Sequence, residues 1–354
     1  MKHVFVYTFL LLNIVAALAI GIASLSVFIS PEKFWLPTVF GMAYPYLLII
    51  NIIFLIFWIF IKPKFALLSL LVILAGYNHI GNYLQFTGKK TFEKGIRVTS
   101  YNVKYFTGNA EIPIKENADH ILHFLRQDNA DIICLQEAML DKRQIFDLKD
   151  TQLPQVNHLQ LAHNSSAAGM LTMTRFPILK MEEIRFENSG NMIIFTDILI
   201  NTDTIRVYNC HLQSYKLREA EIRSIDSLEF SNHPKNKEKV RALGVKFKDA
   251  VIKRAEQAAT LRRSINESPY PVIVCGDFND TPVSFTYRTV KGNLEDSFTQ
   301  SGKGTANTYN GKLPSFRIDY IFYSPVFTSF NFEVKALNHS DHFPISCDLF
   351  PAGK

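Results

Sequence analysis

The amino-acid sequence predicts a layered α/β domain at residues 95–354, preceded by about three transmembrane helices within residues 1–88. Three stretches contain no Asp, Glu, Lys or Arg, namely 4–30, 34–61 and 65–88. From Ile96 onward, short β-branched runs alternate with helical segments and loops, which is typical of an α/β domain and not of a helical bundle. Apolar residues form 47% of the 354 positions, which excludes a disordered or collagen-like chain.

The uncharged stretches contain the predicted membrane spans, at about 4–29, 39–61 and 65–85. About 20 apolar residues in a helix cross a hydrocarbon core of about 30 Å, and each stretch is long enough. The third span is polar in its second half, so an interfacial helix is its alternative. A cleaved signal peptide is the alternative for the first span, although its apolar run exceeds the roughly 7–15 residues of a signal sequence.

The distribution of charge bears on both partners and topology. Half of the net charge of +6 lies in residues 1–88, so the C-terminal domain is nearly balanced. This weakens the case for a nucleic-acid-binding surface, which needs several clustered cations. With three spans, Lys62 and Lys64 on the cytoplasmic side put the domain outside, whereas Lys89 and Lys90 favour the cytoplasm. We expect an integral protein of a bacterial inner membrane with an extracytoplasmic catalytic domain.

Nine apolar runs predict the strands of the domain, at Ile96–Asn102, Asp131–Gln136, Gly169–Thr174, Met192–Ile200, Thr204–Cys210, Pro271–Cys275, Arg317–Tyr323, Phe332–Lys335 and Ile345–Phe350. This number of strands predicts two sheets. Apolar residues recur at helical spacing from Val240 to Ala258, which predicts one long helix. The segment Lys216–Lys239 mixes charges without periodicity and is predicted to be a loop. The four cysteines lie in strand-like runs, so we expect buried thiols.

Polar residues close several of these apolar strands, and they are the candidates for a functional site. They are Asn102, Glu137, His211, Asp277, Asn279, Asp319, Asp341 and His342. Carboxylates that follow buried strands can converge on one cleft. Glu137 and Asn102, with Asp341, offer carboxylate and amide oxygens and no thiolate, which suits Mg²⁺ or Mn²⁺ as the cofactor.

The other candidates suit hydrolysis. A pairing of His342 with Asp319 would fix the imidazole tautomer and keep the ring competent for proton transfer. Asp277 and Asn279 stand two residues apart after a strand, where they can hold an attacking water or a phosphoryl oxygen.

Seven short motifs give this region its resemblance to a known family. They are SYN (Ser100–Asn102), LQE (Leu135–Glu137), RFPI (Arg175–Ile178) after Gly169, NCHLQS (Asn209–Ser214), GDFND (Gly276–Asp280), RIDYIF (Arg317–Phe322) and SDHFPI (Ser340–Ile345). In this order, over residues 95–350, the sequence resembles the endonuclease/exonuclease/phosphatase superfamily of DNase I-like phosphoesterases. The resemblance implies a four-layered α/β sandwich, with two central mixed β-sheets flanked by helices and a site at one edge of the sheets.

The resemblance also implies roles for the candidate residues. The matched positions are the metal ligand Glu137 with the asparagine Asn102 beside it, the water- and phosphate-positioning pair Asp277 and Asn279, the phosphate-contacting His211, and the SDH pair Asp341 and His342, whose histidine Asp319 orients. Abasic-site repair members of the superfamily lack the histidine at the position of His211, so this chain resembles them less.

The function that follows is a membrane-anchored, divalent-metal-dependent phosphoester hydrolase, first of all a phosphodiesterase of endonuclease type in which water attacks phosphorus in line. The alternative is a phosphatase or phospholipase-type hydrolase of a lipid or small phosphoester, which the membrane anchor favours. An inactive, membrane-tethered binding module is a third hypothesis, disfavoured because none of the candidate residues is missing. The expected partners are the lipid bilayer and a phosphoester substrate, nucleic acid included, and the sequence indicates no protein partner.

Overall fold

The structure of the chain, a computed structural model, describes residues 2–108, 112–138, 153–163, 169–187, 189–215, 234–311 and 316–352. Its N-terminal part consists of α1 (Lys2–Ser26), α2 (Leu36–Met42), α3 (Tyr44–Ile61), α4 (Pro63–Ala75) and α5 (Tyr77–Ile80). Pro45 occupies the first turn of α3, where its missing N–H would have no partner and its fixed φ already suits a helix. The second predicted span therefore divides into the short α2 and the long α3.

Two N-terminal helices are long and apolar enough to cross a membrane, His3–Ser26 and Tyr44–Ile61. The predicted third span is divided into α4, of 13 residues, and the short α5, with Gly76 between them. At about 1.5 Å per residue, α4 is about 20 Å long, which is less than the hydrocarbon core of about 30 Å. The described residues thus contain two candidate spans where the sequence predicts three. The boundary between the membrane region and the C-terminal domain, drawn between residues 88 and 95, stays a prediction.

Two six-stranded sheets form the centre of the C-terminal part. The first consists of β1 (Ile96–Asn102), β2 (Ile132–Ala138), β3 (His158–His163), β4 (Gly169–Thr174), β11 (Phe327–Val334) and β12 (Ile345–Pro351), in the order β11-β12-β1-β2-β4-β3. The second consists of β5 (Ile178–Arg185), β6 (Met192–Ile200), β7 (Asp203–His211), β8 (Val272–Asp277), β9 (Glu295–Asp296) and β10 (Asp319–Tyr323), in the order β5-β6-β7-β8-β10-β9. Strands β1 and β2 are parallel, as are β7 and β8, and the other neighbours are antiparallel.

Helices cover the outer face of each sheet and complete the layers. Helix α6 (Ile114–Asp128) connects β1 to β2 and packs on the first sheet through residues such as Ile121 and Leu125. Helices α7 (Pro234–Asn266) and α8 (Phe285–Lys291) pack on the second sheet. A third apolar core, which includes Val98 and Ile273, fills the space between the sheets. The order helix, sheet, sheet, helix confirms the predicted four-layered α/β sandwich.

The nine predicted strands are present, most with small shifts of their ends. The strands that the sequence did not reveal are β3, β5 and β9, and each lies at an edge of its sheet. Helix α7 begins at Pro234, so the prediction of a loop up to Lys239 was wrong for its last residues, whereas residues 216–233 lie outside the described part. The four cysteines are buried and unpaired, as predicted.

Candidate active site

The pairing of the strands brings the predicted polar residues to one edge of the two sheets. Parallel β1 and β2 end side by side: Asn102, the last residue of β1, pairs with Gln136, and Glu137 follows in β2. Parallel β7 and β8 end at His211 and Asp277, which lie opposite each other in register. Strand β10 runs antiparallel to β8, so its first residue, Asp319, also pairs with Asp277.

The side chain of Asn102 connects the two sheets at this edge. Its amide Nδ2 donates to Glu137 Oε1 at 3.2 Å, within the first sheet, and to Asp277 Oδ2 at 3.0 Å, in the second. Its Oδ1 accepts from the backbone N–H of Lys104 at 3.1 Å. Because Asn102 is buried and its Nδ2 bonds to both carboxylates, it fixes the distance between them.

The backbone after β8 holds Asp277 from the other side. Asn279 donates from its backbone N–H to Asp277 Oδ1 at 2.8 Å and from Nδ2 to Oδ2 at 3.0 Å. This loop needs special residues, since Gly276 has φ of 141° and Asn279 has φ of 53°. Glu137 also has a positive φ, 53°, a conformation that costs of order 1–3 kcal/mol and is concentrated at functional sites.

His342 and Asp319 form the predicted pair. The imidazole Nδ1 donates to Asp319 Oδ2 at 2.9 Å, and Nε2 lies 3.7 Å from Asp277 Oδ2. Burial would lower the pKa of His342, but the charges of Asp319 and Asp277 outweigh it and raise this pKa to about 10. Burial raises the pKa of Asp277, while the nearby charges of His342 and His211 lower it in part.

Asp341 lies at the rim of the same cleft. Its Oδ2 is 3.0 Å from the ammonium of Lys104, and Ser340 beside it donates to the backbone carbonyl of Asn102 at 2.7 Å. Among the described residues, Lys104 is the cation that the Asp341 carboxylate contacts. No hydrogen bond in this part of the chain connects Asp341 to Glu137. Its assignment as a metal ligand therefore stays a prediction.

His211 faces the two carboxylates at the end of β7. Its Nε2 is 3.4 Å from Glu137 Oε1 and 3.7 Å from Asp277 Oδ2. This nitrogen is buried and makes no hydrogen bond with the residues that the structure describes. A buried nitrogen without a partner is available to a ligand oxygen that enters the cleft.

Five of the candidate residues line a cavity of about 310 Å³, namely Glu137, Asp277, Asn279, Asp341 and His342. The sequence did not reveal other lining residues, which include Met42, Lys104, Tyr105, Tyr215, Tyr309 and Phe316. Tyr309 packs its ring edge-to-face on His342, with centroids 5.6 Å apart. Most of them lie in loops, where no periodicity marks them. The positive φ of Lys104 and Tyr105 is visible only in the structure.

The donor set of the cavity fits a divalent cation. Glu137, Asp277 and Asp341 all line it, and no lysine or arginine in the described ranges lies within ion-pair distance of Glu137. Asp277, Asp319 and His342 also offer ligand atoms within 4.8 Å of one another. So many carboxylates in a half-buried cleft repel each other unless protons or a cation neutralise them. The residues therefore form a possible metal site.

Comparisons with known proteins agree with the architecture. Residues 99–342 match a family described as the Endonuclease/Exonuclease/phosphatase family. Residues 6–83 match a second family, described as a domain of unknown function. No curated protein sequence matches the chain.

Three solved structures illustrate the similarity of fold. An endonuclease/exonuclease/phosphatase from Bacteroides vulgatus is 18% identical with a TM-score of 0.54, over 73% of this chain and 100% of that chain. The human Nocturnin catalytic domain with bound sulfate anion is 18% identical with a TM-score of 0.52, over 76% and 97%. Truncated TDP2 from Caenorhabditis elegans is 17% identical with a TM-score of 0.51, over 74% and 99%. At these identities the likeness shows the shared fold.

Proposed function

Because this chain belongs to the endonuclease/exonuclease/phosphatase family of phosphoester hydrolases, we propose that it is a membrane-anchored, divalent-metal-dependent phosphodiesterase in which water attacks phosphorus in line. The observation that carries the proposal is the convergence of Glu137, Asp277 and His342 on one cleft from three separate strand ends or loops. Asn102 links the first two through hydrogen bonds, and Asp319 holds the third.

Each residue has a task in this proposal. Asp277 and Asn279 hold the attacking water, and His342, oriented by Asp319, handles the proton at its Nε2. His211 donates a hydrogen bond to a phosphoryl oxygen from the opposite side of Asp277. Mg²⁺ or Mn²⁺, held by Glu137, Asn102 and Asp341, would supply a Lewis acid for the phosphoryl oxygens.

The sequence favours a nucleic-acid phosphodiester as the substrate, and the assay must compare it with other phosphodiesters. Nucleic-acid binding requires several cations on the phosphate path. Among the cavity-lining residues that the structure describes, Lys104 is the one lysine or arginine, and Asp341 already pairs with it.

The packing of the N-terminal helices supports the membrane anchor. Polar side chains lie inside the bundle, where Asn13 donates to Ser69 Oγ at 2.7 Å and accepts from Trp58 Nε1 at 2.9 Å. Large apolar side chains point outward, with Phe60 81% and Leu71 63% exposed. A helical bundle in water has the reverse arrangement, whereas membrane bundles place small and polar residues between helices.

The same helices support an orientation of the chain in the membrane. The rings of Phe9 and Phe57 stack at 5.1 Å, so the beginning of α1 lies beside the end of α3. Lys62 and Lys64 follow at that end, and basic residues favour the cytoplasmic side. At the other end, Tyr44 Oη donates to the carbonyl of Gly76, after α4, at 2.9 Å. This arrangement supports a catalytic domain outside the cytoplasm.

The test is hydrolysis by the purified full-length protein in detergent, with bis(p-nitrophenyl) phosphate, p-nitrophenyl phosphate, plasmid DNA, single-stranded DNA and RNA. We expect EDTA to abolish diester turnover and Mg²⁺ or Mn²⁺ to restore it. For His342→Ala we expect kcat to fall by about 10²–10⁴-fold, as for removal of a proton-transferring group. For Glu137→Gln the metal concentration at half-maximal rate rises by about tenfold or more.

The matched control is Glu267→Gln, an exposed glutamate directly after α7, which should keep the activity of the natural chain. Diester turnover that resists EDTA would contradict the metal dependence. A folded protein that binds Mn²⁺ but hydrolyses none of these compounds, nor any phospholipid, would replace the proposal with the inactive binding module.

A further inference from the structure

The mouth of the catalytic cavity is built in part from the membrane region. Met42 lines the cavity, and it is the last residue of α2, two positions before α3 begins at Tyr44. Tyr215, another lining residue, donates from its hydroxyl to the sulfur of Met42 at 3.1 Å. The rings of Tyr46, in the first turn of α3, and Phe316, on the cavity wall, lie 6.5 Å apart. The cleft and the start of a candidate span are therefore direct neighbours.

This contact is a packed interface. Val283 follows the catalytic loop after β8 and is fully buried in one apolar cluster with Ile20 and Ala23 of α1. Gly41 approaches the Val283 carbonyl so closely that a Cβ would clash with it and with the hydroxyl of Ser26. Because Val283 follows the catalytic loop directly, this contact holds the cavity at a fixed distance from the helices.

The length of α3 indicates how far the mouth of the cavity lies from the hydrocarbon core of the membrane. Its 18 residues extend about 27 Å, so the whole helix is needed to cross a hydrocarbon core of about 30 Å. Tyr44 then lies at the edge of the core, and Met42 lies within about 8 Å of it along the chain. The headgroup layer of a leaflet is roughly 5–8 Å thick, so the mouth of the cavity lies at the level of the lipid phosphates.

The chemistry of the mouth matches this position. Part of its wall is apolar and aromatic, with Met42, Tyr105, Tyr215, Phe316 and Ile318, whereas Glu137, Asp277, Asp341 and His342 form its acidic and basic part. A cavity of about 310 Å³ holds a phosphate with its immediate substituents. A polyanionic strand gains little from such a wall, but the glycerol and first methylenes of a lipid can pack against it.

We infer that the cavity takes its phosphodiester from the bilayer surface, so that the substrate is a phospholipid of the membrane in which the helices lie. The inference rests on the proposed function and names its substrate. The water oxygen forms a bond to phosphorus, one P–O ester bond breaks, and the leaving alcohol oxygen takes up a proton. The products are a phosphomonoester and an alcohol, one of which keeps the acyl chains.

The experiment uses the full-length protein reconstituted into vesicles of phosphatidylethanolamine and phosphatidylglycerol at a ratio of about 3:1. Mass spectrometry follows the loss of each phospholipid and the release of diacylglycerol or phosphatidate, with Mg²⁺ or with EDTA. The same preparation is assayed with bis(p-nitrophenyl) phosphate and with single-stranded DNA. We expect metal-dependent phospholipid cleavage that is absent in Asp277→Asn, and slower cleavage of DNA than of lipid.

A substitution at the mouth tests the contact with lipid. Met42→Gln should lower the ratio of lipid to soluble-diester turnover by about tenfold, the factor that corresponds to roughly 1.4 kcal/mol of lost apolar contact. Val326→Gln changes an exposed apolar residue beyond the opposite end of β10, and this control should leave the ratio unchanged.

Three results contradict the inference or part of it, and they differ in what they say of the proposed function. Metal-dependent cleavage of the soluble diester or of DNA without loss of either phospholipid refutes the lipid substrate and leaves the phosphodiesterase standing. Silence of the folded protein toward all three compounds refutes both. An unchanged turnover ratio in Met42→Gln refutes the role of the mouth.

Discussion

His342 shows how one residue acquires its role from its neighbours. Asp319 accepts the hydrogen bond of Nδ1 at 2.9 Å, and this leaves Nε2 directed at Asp277. Both carboxylates are buried, so their charges act on the ring with little screening by water. The ring therefore cannot turn without losing a buried hydrogen bond.

The first prediction concerns Asp319→Asn, which keeps the size of the side chain but lets an amide donate to Nδ1. The wrong tautomer then faces the cleft, and we expect kcat for bis(p-nitrophenyl) phosphate to fall by about 10²–10⁴-fold with a small change in KM. Asp203→Asn, at the exposed turn between β6 and β7, is the control. A kcat within about twofold of the natural chain would show that Asp319 does not orient the ring.

A second prediction at this scale concerns Asn209, the polar residue two positions before His211. Its Nδ2 donates to the carbonyls of Leu135 and Leu171 in the other sheet, both at 3.1 Å, and its Oδ1 accepts from Gln136 at 2.8 Å. Asn209→Leu would leave these buried groups without partners, and we expect a loss of about 2–4 kcal/mol in stability.

Thermal unfolding of the full-length protein in detergent measures the effect of Asn209→Leu as a fall of Tm by roughly 5–10 °C. Asn266→Leu, at the exposed end of α7, makes the same chemical change without breaking a buried bond. Equal values of Tm for the two variants would contradict a stabilising role of the polar bridge between the sheets.

At the scale of elements, the contact between the membrane helices and the catalytic loop depends on close packing. Gly41→Ala adds the Cβ that would clash with the Val283 carbonyl and the Ser26 hydroxyl. Because overpacking costs about 1–3 kcal/mol, we expect a lower Tm and a less firmly docked domain. Gly21→Ala, in α1, is the matched control, since a Cβ there meets no atom within 4 Å. A Tm for Gly41→Ala equal to that of the control would contradict the packed interface.

Elements also differ in how readily the sequence reveals them. Central strands such as β6 and β8 are buried along most of their length, and their apolar runs predict them correctly. The edge strand β5 exposes most of its residues, so it lacks such a run, and β9 has only two residues. For the edge strand β11, the sequence predicted only the C-terminal end.

At the scale of the whole molecule, strand order decides what the sequence could and could not say about the site. Polar residues after apolar strands identify Glu137, His211 and Asp277 as candidates, because packing alone does not favour them there. The register that brings them together depends on pairing between distant strands, which the local sequence does not encode. The approach of Met42 to the cavity is of the same kind, since it joins residues more than 170 positions apart.

The orientation of the whole molecule is the last prediction. The four native cysteines are buried, so a cysteine introduced at the surface is the site that a membrane-impermeant maleimide labels. We expect labelling of Asp203→Cys, on the exposed β6–β7 turn, in intact cells, and labelling of Lys64→Cys only after lysis. The reason is that Lys62 and Lys64 favour the cytoplasmic side, while α4 and α5 lead the chain back towards the start of α3. The opposite pattern would put the catalytic domain in the cytoplasm and its cavity at the inner leaflet.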